Sequence, residues 1–205
     1  MDVHAPEGPV ASLKDFFIHV GIITVGVLIA LFFEGVTDWF HHRSIAREAR
    51  ESITEEIRDN KRNLAGALKK FPEFEKDQQD LLRKVTALLG HGEPIHELGW
   101  HFAGADLRTS SWDTATATGA LAYMDYGEVS RYATAYDLQR AYMAMQQRWI
   151  ETMTGFGLRD PSGVSRQELQ SWVQQIGAAS TELQVADQIG QHLDDEYAEA
   201  LRAGN

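Results

Sequence analysis

No cysteine occurs among the 205 residues. That removes disulfides, thiolate metal sites, cysteine-held iron–sulfur clusters and covalent c-type haem. It fits a cytoplasmic domain. Positive charge is also scarce: 19 Lys and Arg stand against 30 Asp and Glu, a net charge of −11. Such a balance argues against a nucleic-acid partner. No segment alternates apolar and polar residues as a half-buried strand would. The chain has no Walker loop, no GxGxxG and no GxSxG, so the common phosphate-cradle, dinucleotide and nucleophile-elbow chemistries have no anchor. There is no internal repeat and no low-complexity segment. With 43% hydrophobic and 24% charged residues, the composition is globular.

What the chain does have is one long apolar run, Phe16 to Phe33, reading FFIHVGIITVGVLIALFF. Its 18 residues carry no formal charge, and only His19 and Thr24 are polar. As a helix it extends about 27 Å, close to the hydrocarbon thickness of a bilayer. A cleaved signal peptide needs a basic leader and a small-residue cleavage site. Here the leader is acidic, with Asp2, Glu7 and Asp15 against Lys14, and the run is followed by Glu34-Gly35-Val36-Thr37-Asp38. An uncharged run of this length is also unusual for a buried core helix. The stretch reads as a single transmembrane helix.

Its flanks give an orientation. Lys14 is the single Lys or Arg before the run, whereas Arg43, Arg47 and Arg50 follow it, with His41 and His42 beside them. The positive-inside rule places the C-terminal part in the cytoplasm. Trp39 and Phe40 fall at headgroup level as an aromatic anchor. Within the span, Gly21, Thr24 and Leu28 share one face, as do Gly26 and Ala30. Either these small residues admit a neighbouring helix, or they reflect the ordinary tolerance of glycine in lipid. His19 lies near one end, where an imidazole reaches headgroups or water more readily than it ligates a metal or pigment.

The remaining chain reads as helices. Residues 1–15 form a tail, 16–40 the span and its anchor, and 41–205 a soluble helical domain. The helix beginning in the span continues along Ile45, Ala49, Ile53, Ile57, Leu64 and Leu68, an apolar seam on a charged surface. Pro72 ends or kinks it. A second helix covers about Glu73 to Leu89 and a third about Ser110 to Met124, with a short one near Ile95 to Phe102. Asp125 and Glu128 look like a capping box for a Tyr- and Met-rich helix reaching about Thr154, and Ser165 and Glu168 like another for a helix reaching about Arg202. Trp112, Leu121, Trp149 and Trp172 are expected in the core. Charge is uneven: Arg43 to Lys70 is basic and Glu182 to Arg202 acidic. Solvation of the acidic stretch is the simpler expectation, and pairing between the two the alternative.

Several blocks together resemble a group of uncharacterised bacterial single-pass membrane proteins, a family defined by a domain of unknown function. They are Val25-Gly26-Val27-Leu28-Ile29-Ala30-Leu31, Trp39 before His41-His42-Arg43, the Glu56 to Asn60 stretch with Asn63-Leu64, the Trp112 to Leu121 block with its Thr118-Gly119-Ala120-Leu121 ending, and the Tyr132 to Tyr142 helix. The resemblance covers roughly the first two thirds of the chain. It implies an envelope location and a helical fold, and brings no activity, cofactor or catalytic residue.

The densest group of metal-ligand types is His91, Glu93, His96, Glu97 and His101. A zinc-protease helix needs His-Glu-x-x-His, so that both imidazoles share a face. Here the second histidine falls at i+5, about 100° further round by helix geometry. A polar surface loop is the better reading, and no metal or cofactor is expected. Asp113, Tyr123 and Asp125 show no base–nucleophile spacing. The Tyr/Met stripe is expected to be core rather than a ligand site. The sequence therefore predicts an all-α protein, with one N-terminal membrane helix running on into a long helix and a bundle of about four further helices. It is expected to be a non-enzymatic anchored interaction protein, an accessory subunit of a larger membrane complex. Its partners would be lipid and other membrane subunits, with Gly21, Thr24, Gly26, Ala30, Trp39 and Phe40 forming the membrane and partner-helix face. A membrane sensor responding to a ligand or to pH is the alternative.

Overall fold

A computed structural model describes residues 13–91, 104–157 and 163–203. These form α1 (Leu13–Leu68), α2 (Phe71–His91), α3 (Ser110–Ala117), a 3-10 turn at Ala120–Tyr123, α4 (Tyr126–Gly157) and α5 (Arg166–Ala203). No strand occurs among the described residues. The all-helical reading holds. Residues 1–12 of the expected tail, the short helix expected near Ile95 to Phe102 and the side chains of His91, Glu93, His96, Glu97 and His101 lie outside the described residues, while Leu13 to Asp15, expected in the tail, already belong to α1.

The chain divides into two units, Met1–Arg47 and Glu48–Asn205, with the division inside α1. In the first unit, the large apolar side chains of the run are exposed all round the helix, from Phe16 at 50% to Phe33 at 61%. One helix among the described residues is long and apolar enough to cross a membrane, and no part of its apolar window is buried.

In the second unit the helix boundaries follow local chemistry. The break after α1 falls at Lys69-Lys70, two residues earlier than the proline suggests. Pro72 then sits in the first turn of α2, where its missing N–H has no helical partner to lose. The helix expected from Ser110 to Met124 splits in two. Gly119 takes φ 73°, the one left-handed residue described, and terminates α3 before the 3-10 turn. Asp125 caps α4, its Oδ1 accepting from the Glu128 N–H at 3.0 Å. The Glu128 carboxylate does not complete the box, because it is drawn to Arg50 instead. The second box does close: Ser165 N–H donates to Glu168 Oε2 at 2.9 Å and Glu168 N–H to Ser165 Oγ at 3.3 Å.

Partner pairs set the directions. Arg50 with Glu128, Thr54 with Tyr132, Glu56 with Tyr136 and Asn60 with Gln139 rise together in number, so this part of α1 runs parallel to α4. Phe74 with Trp149 and Gln78 with Met153 continue the register along α2. Lys61 with Asp194 and then Leu68 beside Gly190, like Gln139 with Tyr197 and then Tyr142 beside Gly190, run in opposite senses, so α5 is antiparallel to both. Residues 104–109 return without regular secondary structure as a strap along α1 and α4. The core is aromatic at its centre, with Tyr132, Tyr136 and Tyr197 all at 0% exposure. The seam expected on α1 is present at Ile53, Ile57 and Leu64. Trp149 and Trp172 are buried as expected, but Trp112 and Leu121 are only half-buried. The reason is the early end of α3: Trp112 lies flat against Tyr136, with ring centroids 5.2 Å apart, and its other side stays open. The acidic stretch meets the basic one at a single described ion pair, Lys61 Nζ to Asp194 Oδ1 at 2.7 Å.

Gly190 marks the tightest helix approach. A Cβ there would lie 2.7 Å from Leu68 Cδ2 and 3.0 Å from the Tyr142 ring. At Gly177, on the same helix, a Cβ would meet nothing within 4 Å. Gly190→Val is therefore expected to cost about 1–3 kcal/mol by overpacking, whereas Gly177→Ala should gain up to about 1 kcal/mol from helix propensity. Thermal melting of the two variants checks the contrast.

Candidate functional site

Two places carry functional candidates, one in each unit. In the first unit, a Cβ added at Gly21 or Gly26 would meet nothing, so the folded chain itself gives no reason for either glycine. Thr24 Oγ1 donates to the Val20 carbonyl at 2.8 Å, and Thr37 Oγ1 to the Phe33 carbonyl at 2.9 Å. Each hydroxyl is thus satisfied within the helix, which makes it compatible with an apolar surrounding. Aromatic pairs bracket the run, Phe16 with Phe17 and Phe32 with Phe33. Beyond them Trp39 packs edge-on to Phe40 at 4.9 Å, and the Arg43 guanidinium lies 5.4 Å from the Trp39 ring centre. A tryptophan, a phenylalanine and an arginine in contact form the amphipathic cluster that suits a headgroup layer. Ala30 is exposed like its neighbours, and His19 is exposed on the same helix.

In the second unit a polar seam runs between α1 and α4, and sequence reasoning missed it. Arg50 meets Glu128 through two parallel contacts, Nε to Oε1 at 2.6 Å and Nη2 to Oε2 at 2.7 Å. Tyr132 donates to the same carboxylate at 3.1 Å and lies 3.3 Å from Thr54 Oγ1. One helical turn on, Glu56 is 5% exposed. Its Oε1 accepts from Tyr136 OH at 2.7 Å, and its Oε2 from Ser110 Oγ at 2.7 Å and Ser111 N–H at 2.9 Å. Burial alone would raise this carboxyl. The hydrogen bonds from Tyr136, Ser110 and the first backbone N–H groups of α3 outweigh it and hold the group below its ordinary value. The tyrosines move the other way. Burial first, then the neighbouring Glu56 carboxylate, drives Tyr136 upward.

Next along the seam is a ring of amides. Asn60 Nδ2 donates to the Arg108 carbonyl at 2.7 Å and to Gln139 Oε1 at 3.1 Å, while Asn60 Oδ1 accepts from Arg108 N–H at 2.9 Å. Gln139 Nε2 donates to the same carbonyl at 3.0 Å, and Tyr197 OH donates to Gln139 Oε1 at 2.6 Å. Three donors converge on the Glu56 carboxylate and favour its ionised form, while burial keeps Tyr136 and Tyr197 protonated at neutral pH. The seam therefore holds chain in place. Its only mark in the sequence is polarity in the wrong register: Glu56 and Asn60 are buried among the core residues Ile53, Ile57 and Leu64.

Glu56→Gln would put an amide N–H₂ where donors now converge. A loss of about 1–3 kcal/mol at pH 7 is expected. Because the folded carboxyl is held low, its contribution is present above the unfolded value and disappears as pH falls through the folded one. Wild type should thus lose more stability than Glu56→Gln between pH 6 and pH 3 (a range of about three units around the carboxylate values), as read by melting.

Of the sequence candidates, Asp125 is an α4 cap, Asp113 accepts from Thr109 Oγ1 at 2.7 Å, and Tyr123 is exposed. No group of three metal-ligating side chains is found among the described residues. A small apolar cavity, about 20 Å³, lies between Phe71, Phe74, Tyr142, Trp149 and Leu183. It has room for about one water, yet its walls offer such a molecule few polar partners. Comparison with protein-family models, curated proteins and solved structures finds no match to this chain.

Proposed function

We propose that this protein is a membrane-anchored interaction protein, an accessory subunit of a larger membrane complex. The observation that carries the reading is the 18-residue uncharged run whose side chains are exposed on every side of α1. Eighteen such residues left in water would be strongly unfavourable, at about 25 cal/mol for each Å² of apolar surface. Lipid and neighbouring helices are the surroundings that remove that penalty. In the second unit the buried polar groups described between α1 and α4 hold a strap in place, which is in keeping with an interaction role. Arg43, Arg47 and Arg50 against Lys14 favour a cytoplasmic second unit in a bacterial inner membrane, in line with the family resemblance. Gly21, Thr24, Gly26 and Ala30 would receive the partner helix, and Trp39 and Phe40 the headgroups.

The test is purification from native membranes in mild detergent. The reading expects co-purifying membrane subunits, reduced by Gly21→Leu or Gly26→Leu while the second unit keeps its melting temperature. Recovery of monomer alone, unaffected by both substitutions, would count against it.

A further inference from the structure

Along the first unit, α1 has sides of different character. Successive helical residues turn by about 100°, so the sequence maps directly onto faces. Ile22, Val25, Ile29, Phe32 and Val36 fall within a sector of about 80° by that geometry. Phe40, Arg43 and Arg47 continue the same sector beyond the run. Every glycine, alanine, threonine, histidine and acidic residue between Ile18 and Arg47 falls outside it. Gly21, Thr24, Gly26 and Ala30, the residues that suit a neighbouring helix, are among those excluded. The sector is bulky and apolar for its length, with Ile22 and Phe32 each 66% exposed, and it ends in two arginines.

That end suits a negative charge at an apolar boundary. Arg43 is exposed, and the residues three and four positions from it are Trp39, Phe40, Ala46 and Arg47. No carboxylate therefore sits at its helical pairing positions. Arg62, Arg83 and Arg140 each pair with an aspartate three residues before them. Arg43 instead lies over the Trp39 ring, 5.4 Å from its centre, and Phe40 braces Trp39 edge-on at 4.9 Å. A guanidinium seated on a ring face keeps its donor edge for an anion, and that planar fork matches phosphate oxygens. Arg47 has Glu51 at its own i+4 position, so Arg43 leads. Glu34, Asp38 and His41 stand at least about 100° away from the sector.

We infer that this face of α1 binds an anionic phospholipid, with acyl chains along Val25 to Val36 and the phosphate on Arg43. Val25 to Val36 extends about 17 Å as helix, close to the depth of one bilayer leaflet. An apolar wall of that length leading to a guanidinium fits a lipid, where a free phosphate would use the guanidinium alone. The inference rests on the membrane reading of α1 and adds to it the lipid class and the side that receives it.

The full-length chain in detergent micelles is mixed with equal amounts of phosphatidylglycerol and phosphatidylcholine of the same acyl composition. Native mass spectrometry counts the lipids that stay bound. Wild type is expected to retain phosphatidylglycerol over phosphatidylcholine by about fivefold, the effect of about one arginine at a lipid surface. Arg43→Gln should bring the ratio close to one with unchanged melting. Asp38→Asn removes one negative charge from another side and should shift the ratio by less than about twofold. Glycerophosphoglycerol, the soluble headgroup, should not displace the lipid. The inference is overturned if wild type shows no preference or if Arg43→Gln keeps it. It is equally overturned if Asp38→Asn raises the ratio as far as Arg43→Gln lowers it, since net charge would then decide, or if the soluble headgroup displaces the lipid. Should Arg43→Gln not fold, the wild-type ratio and the headgroup competition decide. Flotation with pure phosphatidylcholine vesicles reads the membrane placement separately. A chain that floats without a lipid preference fails this inference alone, and a chain that does not float fails both.

Discussion

Raising the pH above 10 is expected to unfold the second unit steeply. Tyr142 is pushed up to about 12, first by burial and then by Asp187. Tyr136, Tyr197 and Tyr132 are raised as well, with burial the leading cause in each. In every case the folded chain keeps the proton that the unfolded chain releases near pH 10. The contribution of these groups is therefore complete below that value and declines as pH climbs through the folded values. Each tyrosine adds a slope of up to about 1.4 kcal/mol per pH unit. Several acting together exceed the about 5–15 kcal/mol of a typical domain within a few units. Circular dichroism against pH, with tyrosinate absorbance at the same points, checks this. Measured on the Tyr123→Phe/Tyr126→Phe variant, which removes the two exposed rings, ionisation and helix loss should coincide, above pH 10. Tyrosinate appearing near pH 10 in that variant while it remains helical would contradict the buried assignment.

Trp149→Ala is expected to be the most damaging single truncation, at about 3–5 kcal/mol. Trp149 is 3% exposed, its ring centroid lies 6.0 Å from that of Phe74, and it borders the apolar cavity next to Tyr142. Removing it would enlarge a void whose walls belong to three helices, α2, α4 and α5, and cannot readily collapse. Trp112→Ala should cost about 1–2 kcal/mol, from partial burial and its stacking on Tyr136. Denaturant melts of the pair in the same detergent measure the difference. Equal losses would mean that the two rings share one environment.

The helices were legible because their signals are local. The Ser165–Glu168 box, the Asp125 cap and the Ile53, Ile57 and Leu64 seam each lie within a few residues of their partners in sequence. The seam's polar members were not legible. Glu56 finds Tyr136 across 80 residues, and Asn60 finds Gln139 across 79. A lone glutamate on a charged helix looks solvated until the facing helix is known. Glu128 misled for the same reason, since its spacing from Asp125 satisfies a capping box while its carboxylate serves Arg50. Trp112 misled because a single glycine, Gly119, ended its helix early and left the ring at an edge.

The proposed membrane placement of α1 admits a direct measurement, because a chain without cysteine allows single labels to be added cleanly. Thr24→Cys lies mid-run and Ser44→Cys just past the aromatic anchor. In isolated native membranes made permeable to the reagent, a water-soluble maleimide should modify Ser44→Cys readily. It should leave Thr24→Cys unmodified until detergent and denaturant are added. Modification of both at the same rate in intact bilayers would contradict the account.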